Sequence, residues 1–139
     1  MNELWQGNFD VLKTQEDAYS VGNIIKKVFR NMAEPLFPFK TYEEFKCISG
    51  TENDEIFISK VNSIIAKLDQ VNWHTIKALL KFLSDVAKFE EDNLMSANNL
   101  SVVFAPNVFK ASEETWTDAI YFSMFFKMLC VMIQKNEEI

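Results

Sequence analysis

Apolar residues recur along this chain at intervals of three and four, the spacing of one face of an α-helix. Ala18, Val21, Ile25, Val28 and Met32 form a first stripe, preceded by Thr14 and Asp17 at the spacing of an acidic capping box. That helix is expected to end between Ala33 and Pro35. The run Pro35-Leu36-Phe37-Pro38-Phe39 cannot be regular helix, and its apolar side chains should plug the core as a bent connector. Thr41 with Glu44 predicts a short helix carrying Tyr42, Phe45 and Ile48, stopped by Gly50. Thr51 with Asp54 predicts the next, with Ile58, Val61, Ile65 and Leu68 on its inner face. Asn72 is placed to cap another, where Ile76, Leu79, Leu80, Leu83, Val86 and Ala87 make a broad apolar face. The acidic turn Glu90-Glu91-Asp92 follows. Ser112, Glu113 and Glu114 suit the start of a last helix, because acids favour the positive end of its dipole. Residues 1 to 13 lack this period and read as an extended lead-in, with Trp5, Phe9, Val11 and Leu12 as docking groups. There is no strand alternation and no internal repeat. The prediction is a single all-α domain, a bundle of about six helices.

The stretch from Asn98 to Phe109 organises the rest. Leu100, Val103 and Phe104 share one face, and Val102 and Ala105 fill the remaining circumference, which predicts a helix buried on most sides. Pro106 has no N–H and clashes one turn back, so the helix should kink or stop there. Asn98, Asn99 and Asn107 carry amides that need partners wherever they become buried. One reading makes them caps, with Ser96 or Asn98 at the start and Asn107 at the end. The other places them at an interface.

Length and composition narrow the function. A chain of 139 residues is one domain with room for a real core, and 48% hydrophobic against 24% charged residues is globular. Three glycines and three prolines allow few tight turns, which favours long helices. A formal charge of −6 excludes nucleic acid as the main partner, since phosphate binding needs a basic surface. Cys47 and Cys130 form no metal-like spacing and read as reduced thiols of an intracellular protein. The most apolar run, Ala119 to Ile133, is broken by Ser123 and Lys127 and reads as a core helix, not a membrane span.

Little here suits enzyme chemistry. His74 is the one histidine and sits near a helix start, where a surface or capping role is expected. With no second histidine and no cysteine at ligand spacing, no zinc site is expected, and isolated glycines build no phosphate loop. Carboxylate pairs such as Glu43-Glu44 and Glu113-Glu114 read as solvated helix starts. One charged cluster stands out. Lys26, Lys27 and Arg30 lie on the first helix, and Lys26 and Arg30, four apart, share a face. Either this is a solvated face balancing nearby acids, or it is a basic patch placed to meet an acidic partner. Arg30 is the single arginine of the chain, and its planar fork suits a specific contact better than a lysine does.

Two segments resemble the RhoGAP domain family. Ile25-Lys26-Lys27-Val28-Phe29-Arg30-Asn31-Met32-Ala33-Glu34-Pro35-Leu36 is similar to that family's L-K-x-x-L-R-x-L-P-E-P-L helix. Asn93-Leu94-Met95, then Asn99-Leu100-Ser101-Val102-Val103-Phe104-Ala105-Pro106-Asn107, resembles its N-K-M-x-x-x-N-L-A-x-V-F-x-P-N segment. Between them, His74 to Phe89 resembles the family's L-x-x-L-x-x-F-L helix. The segments come in the family's order, and the resemblance covers nearly the whole chain.

The resemblance implies a helical domain that binds the switch regions of GTP-loaded Rho-, Rac- or Cdc42-type small GTPases and accelerates hydrolysis. It acts in the cytoplasm, with recruitment to the inner face of the plasma membrane expected. Lys26, Arg30 and Asn99 match family positions that face the GTPase; Pro35, Pro106 and Asn107 match positions that support the interface. No cofactor is expected, GTP and Mg²⁺ belonging to the partner. Leu94 departs from the family's lysine and Ala33 from its proline. The larger departure concerns the arginine finger, which the family inserts from a loop upstream of the Lys26–Arg30 helix and which is worth roughly 10³–10⁵ in rate. No arginine precedes Arg30, so the catalytic loop and first helix are expected outside these residues and no catalytic residue within them. Three readings follow: an activating domain whose finger lies elsewhere, a module that binds without activating, and a plain helical adaptor. The adaptor reading predicts that Lys26→Ala and Arg30→Ala change no GTPase interaction. Exposed apolar surface would also promote self-association.

Overall fold

The structure is a computed structural model that describes residues 18–112 and 118–139. Among them the chain forms seven α-helices: α1 Ala18–Arg30, α2 Phe39–Ile48, α3 Asp54–Ile65, α4 Gln70–Ala87, the single turn α5 Glu90–Asn93, α6 Ala97–Val108 and α7 Asp118–Gln134. A 3₁₀ turn, Asn136–Glu138, closes the chain. The expected bundle is present. The Thr14–Asp17 capping box, the lead-in to residue 13 and most of the acidic start of the last helix lie outside the described residues.

Helix α6 sits at the centre, with α1, α4 and α7 packed against it. Its Leu100, Phe104, Ala105 and Val108 are buried, facing a core that α4 lines with Ile76, Leu79, Leu80 and Leu83 and α7 with Phe125, Met128, Leu129, Met132 and Ile133. The connector after α1 plugs this core as its composition predicts: Leu36 and Phe37 are almost fully enclosed. Phe37 donates its backbone N–H to the Val108 carbonyl at 3.2 Å, the bridge that aligns it with Phe109. The rings of Phe37, Phe109 and Phe125 then stack in series, with centroids 4.3 and 5.0 Å apart, and Phe45 abuts the first two edge-on. Such aromatic contacts add about 0.5–1.5 kcal/mol each beyond burial. Asn72 ties the same connector down, donating from Nδ2 to the Leu36 carbonyl at 2.9 Å.

Several boundaries differ from the sequence reading. Asp69, not Asn72, caps α4, accepting from the Asn72 N–H at 2.9 Å, and Asn53, not Thr51, caps α3 in the same way. Asn53 is a stronger cap than Thr51, and the Asn72 side chain is already committed to the Leu36 carbonyl, leaving Asp69 to reach the N–H three residues on. Helix α2 begins at Phe39 with no side-chain cap, because Pro38 presets its entry. Thr41 is 1% exposed, so its hydroxyl turns inward to bond the Pro38 carbonyl at 2.7 Å. Helix α1 ends at Arg30, short of the expected Ala33–Pro35, and rests on the core through Ile25 and Phe29. Val28 and Met32, expected inside, are 39% and 37% exposed, because the larger Phe29 claims the inward register.

Helix α6 does not stop at Pro106; it runs on to Val108. Pro106 removes the donor for the Val102 carbonyl one turn back, but both residues are exposed and water can serve that oxygen. Helix α6 is buried on most sides as expected, with Ala97, Leu100, Ser101, Phe104, Ala105, Asn107 and Val108 enclosed, but Val102, expected to help fill the circumference, faces water. Asn98, Asn99, Val102 and Pro106 form a solvent-facing strip along it.

Both cysteines are free thiols, Cys47 exposed and Cys130 partly buried. Burial alone raises the pKa of the Cys130 thiol above its ordinary value. Its reactive thiolate is therefore scarcer at neutral pH and grows as pH rises. Maleimide labelling at pH 7 should modify Cys47 well before Cys130, and Cys47→Ser should remove the fast phase. Phe109→Ala should destabilise the fold by about 3–5 kcal/mol in urea unfolding, since it empties the middle of the ring stack.

Candidate functional site

Helix α1 packs against α6, and Arg30, in the last turn of α1, meets the C-terminal part of α6. Lys27 and Arg30 are exposed and Lys26 partly so. The Arg30 Nε donates to Oδ1 of Asn107 at 2.9 Å. Asn107 is 1% exposed, and its Nδ2 donates back to the Val103 carbonyl at 2.7 Å. One amide thus spends both ends inside the protein, one on its own helix and one on the arginine of α1. Asn107, expected to support an interface, is here a bridge within the fold that joins α6 to α1. The contact fixes the root of the guanidinium and leaves the Nη groups at the exposed end of the fork.

Asn99 stands two turns earlier on α6, on the exposed strip. Ser96 is the N-cap, its hydroxyl accepting from the Asn99 backbone N–H at 3.1 Å. The Asn99 side chain donates from Nδ2 to the Leu94 carbonyl at 2.9 Å. Leu94 is in the left-handed region at φ 59° and is 76% exposed. A non-glycine residue there costs of order 1–3 kcal/mol, and it persists only when its surroundings hold it. Here they do: the Leu94 N–H bonds the Glu90 carbonyl at 2.9 Å, and Asn93 accepts from the Met95 N–H at 2.8 Å. Asn93 also donates to the Val86 carbonyl, anchoring the turn to α4.

Of the other matched positions, Pro35 is buried at the turn into the connector and Pro106 is exposed beside Asn107. The structure brings Arg30 and Asn107 into contact; Asn99 is held by a separate network on the same helix. The roles of two residues escaped the sequence reading. Asn93 stood in the Asn93-Leu94-Met95 match with no role assigned to it. Lys110 lies beyond the helical period, yet its Nζ bonds the Arg30 carbonyl and lies 3.5 Å from the Phe29 carbonyl. No periodicity signals a lysine whose partners are carbonyls 80 residues away.

Among the described residues, no group of three or more histidine, cysteine, aspartate or glutamate side chains is placed to hold a metal. No described helix is long and apolar enough to cross a membrane. His74 is exposed, its ring set edge-on to Trp73 at 4.7 Å, as a surface residue would be. The arrangement is a rigid polar surface, suited to recognition. Asn107→Ala should cost about 1–3 kcal/mol of stability by urea unfolding, because it orphans a buried carbonyl contact and releases Arg30. An unchanged unfolding midpoint would contradict this picture of the amide.

Comparison with known proteins bears on what such a surface meets. The model of the RhoGAP domain matches residues 1–113. The Rho GTPase-activating protein gacH of Dictyostelium discoideum is 37% identical over 100 residues, covering 72% of this chain and 18% of that protein. Rho GTPase-activating protein 15 of Gallus gallus is 30% identical over 124 residues, covering 89% of this chain and 26% of that protein. The chain therefore spans only 18% and 26% of the length of these two curated relatives. The crystal structure of human Rho GTPase-activating protein 15 superposes with a TM-score of 0.82 at 30% identity, over 88% of this chain and 58% of that one. The matched residues 1–113 include both the α1 and α6 segments, and the chain belongs to the RhoGAP domain family.

Proposed function

We propose that this chain recognises GTP-loaded small GTPases of the Rho, Rac or Cdc42 type through the face where α1 meets α6. Lys26 and Arg30 offer donors to carboxylates and carbonyls of the partner's switch regions. Asn99 presents its amide from the strip that also carries Val102 and Pro106. Pro35 and Asn107 hold the two helices in register. The relatives' designation as Rho GTPase-activating proteins supports a role in stimulating GTP hydrolysis, with the nucleotide and its Mg²⁺ held by the partner.

The single observation that carries the reading is the contact from Arg30 to Asn107. An arginine fixed at its root by a fully buried amide is preorganised for a bidentate contact and loses little freedom when it binds. The same contact favours recognition without acceleration by these 139 residues alone. The one arginine is committed to a helix and cannot swing as a finger onto a phosphoryl group.

Binding should be measured by fluorescence titration of Rho-family GTPases loaded with a non-hydrolysable GTP analogue. Arg30→Ala is expected to weaken the complex about tenfold or more and Lys26→Ala by about threefold or more, as desolvated and rim charges do. The GDP-loaded forms should bind more weakly. Full affinity in both variants would instead support the plain helical adaptor.

A further inference from the structure

We infer that Lys110 is a positioning residue for GTPase recognition, acting by clamping the C-terminus of α1 so that Arg30 stays at its recognition angle. The inference rests on the GTPase-binding reading given above.

The argument begins at the end of α1. A helix leaves its last carbonyls without intrahelical donors, and that end carries partial negative charge. In α1 the Asn31 N–H serves the carbonyls of Lys27 and Val28, at 3.1 and 3.2 Å, and the Met32 N–H reaches Phe29 at 3.4 Å. There is no glycine at the position after Arg30, where one would commonly turn the chain and complete the cap. The Arg30 carbonyl receives the Lys110 ammonium instead, which also lies 3.5 Å from the Phe29 carbonyl. A cation thus meets the negative end of the dipole, at the residue whose side chain does the recognition.

The clamp is stiff because of where Lys110 is rooted. It follows Phe109, whose ring is sandwiched between Phe37 and Phe125 and whose backbone N–H closes α6 on the Ala105 carbonyl at 2.9 Å. Three residues earlier on the same helix end, Asn107 holds the Arg30 side chain. Arg30 is therefore fixed twice from one short segment, its guanidinium by Asn107 and its backbone by Lys110. Losing the second contact frees the last turn of α1 to fray. The arginine then samples positions from which the Asn107 bond and a partner contact cannot both form.

The test is a double-mutant cycle on the full chain, read as affinity for a Rho-family GTPase carrying a non-hydrolysable GTP analogue. Lys110→Ala should weaken binding by about fivefold where Arg30 is present, within the range of a helix-terminal cation. In an Arg30→Ala background it should have almost no further effect, since there is no guanidinium left to position. Lys110→Arg should restore most of the lost affinity, because it keeps a cationic donor at the same carbonyls. The thermal midpoint of each variant reports the fold separately, and Lys110→Gln provides a second loss variant. An equal loss in both backgrounds would overturn the inference, since Lys110 would then act by touching the partner or through general stability. Unchanged affinity in Lys110→Ala would overturn it as well. Should Arg30→Ala itself leave binding intact, the functional reading fails first, and that outcome is distinct from the other two.

Discussion

The buried amide of Asn107 is the constraint on which the rest turns. An amide enclosed in the core must find partners for both its donor and its acceptor, or the fold bears a cost of about 1–3 kcal/mol for each orphaned group. Asn107 satisfies its donor on Val103 within α6 and its acceptor on Arg30 of α1. The second bond forms only if α1 lies against α6 at one depth and one rotation. A local demand for hydrogen bonding thereby becomes a tertiary restraint, and it acts on Arg30, the residue proposed to bind a partner.

That restraint is effective because the end of α6 cannot move. Phe109 stacks between Phe37 and Phe125, so the connector, α6 and α7 share one run of rings, with α2 touching it through Phe45. At the other end, the left-handed turn at Leu94 is held by bonds from Asn93, Asn99 and the Glu90 carbonyl. Between these anchors α6 presents a fixed exposed strip. Its two polar landmarks, Asn99 at the start and the Arg30–Asn107 pair near the end, keep a constant separation. Recognition surfaces gain affinity from such preorganisation, since less freedom is lost on binding.

The helical content, the core faces of α2, α3 and α4, and the central place of α6 were legible in the sequence because each follows from apolar spacing. The rotation of α1 was not. Its apolar positions cover more than one face, and only contact with α6 chooses Ile25 and Phe29 over Val28 and Met32. Cap identities were misplaced by two or three residues wherever several capping side chains stood together, as at Thr51 to Asp54 and Asp69 to Asn72. At the site, the motifs singled out Arg30, Asn99 and Asn107, but the bond between the first and last joins residues 77 positions apart. Lys110 was invisible, and Asn93 carried no assigned role within its motif, for the same reason. Their partners are backbone carbonyls and amides, which leave no pattern in side-chain identity.

Single-turnover GTP hydrolysis by Rho-family GTPases, with the 139-residue chain titrated to saturation, tests the central claim most directly. On the proposed reading, Arg30 tethered to a buried amide serves recognition, so the chain should occupy the GTPase while leaving the hydrolysis rate at its intrinsic value. Acceleration by orders of magnitude, abolished in Arg30→Ala, would contradict the account. It would mean that the lone arginine leaves Asn107 and reaches the transferring phosphoryl group.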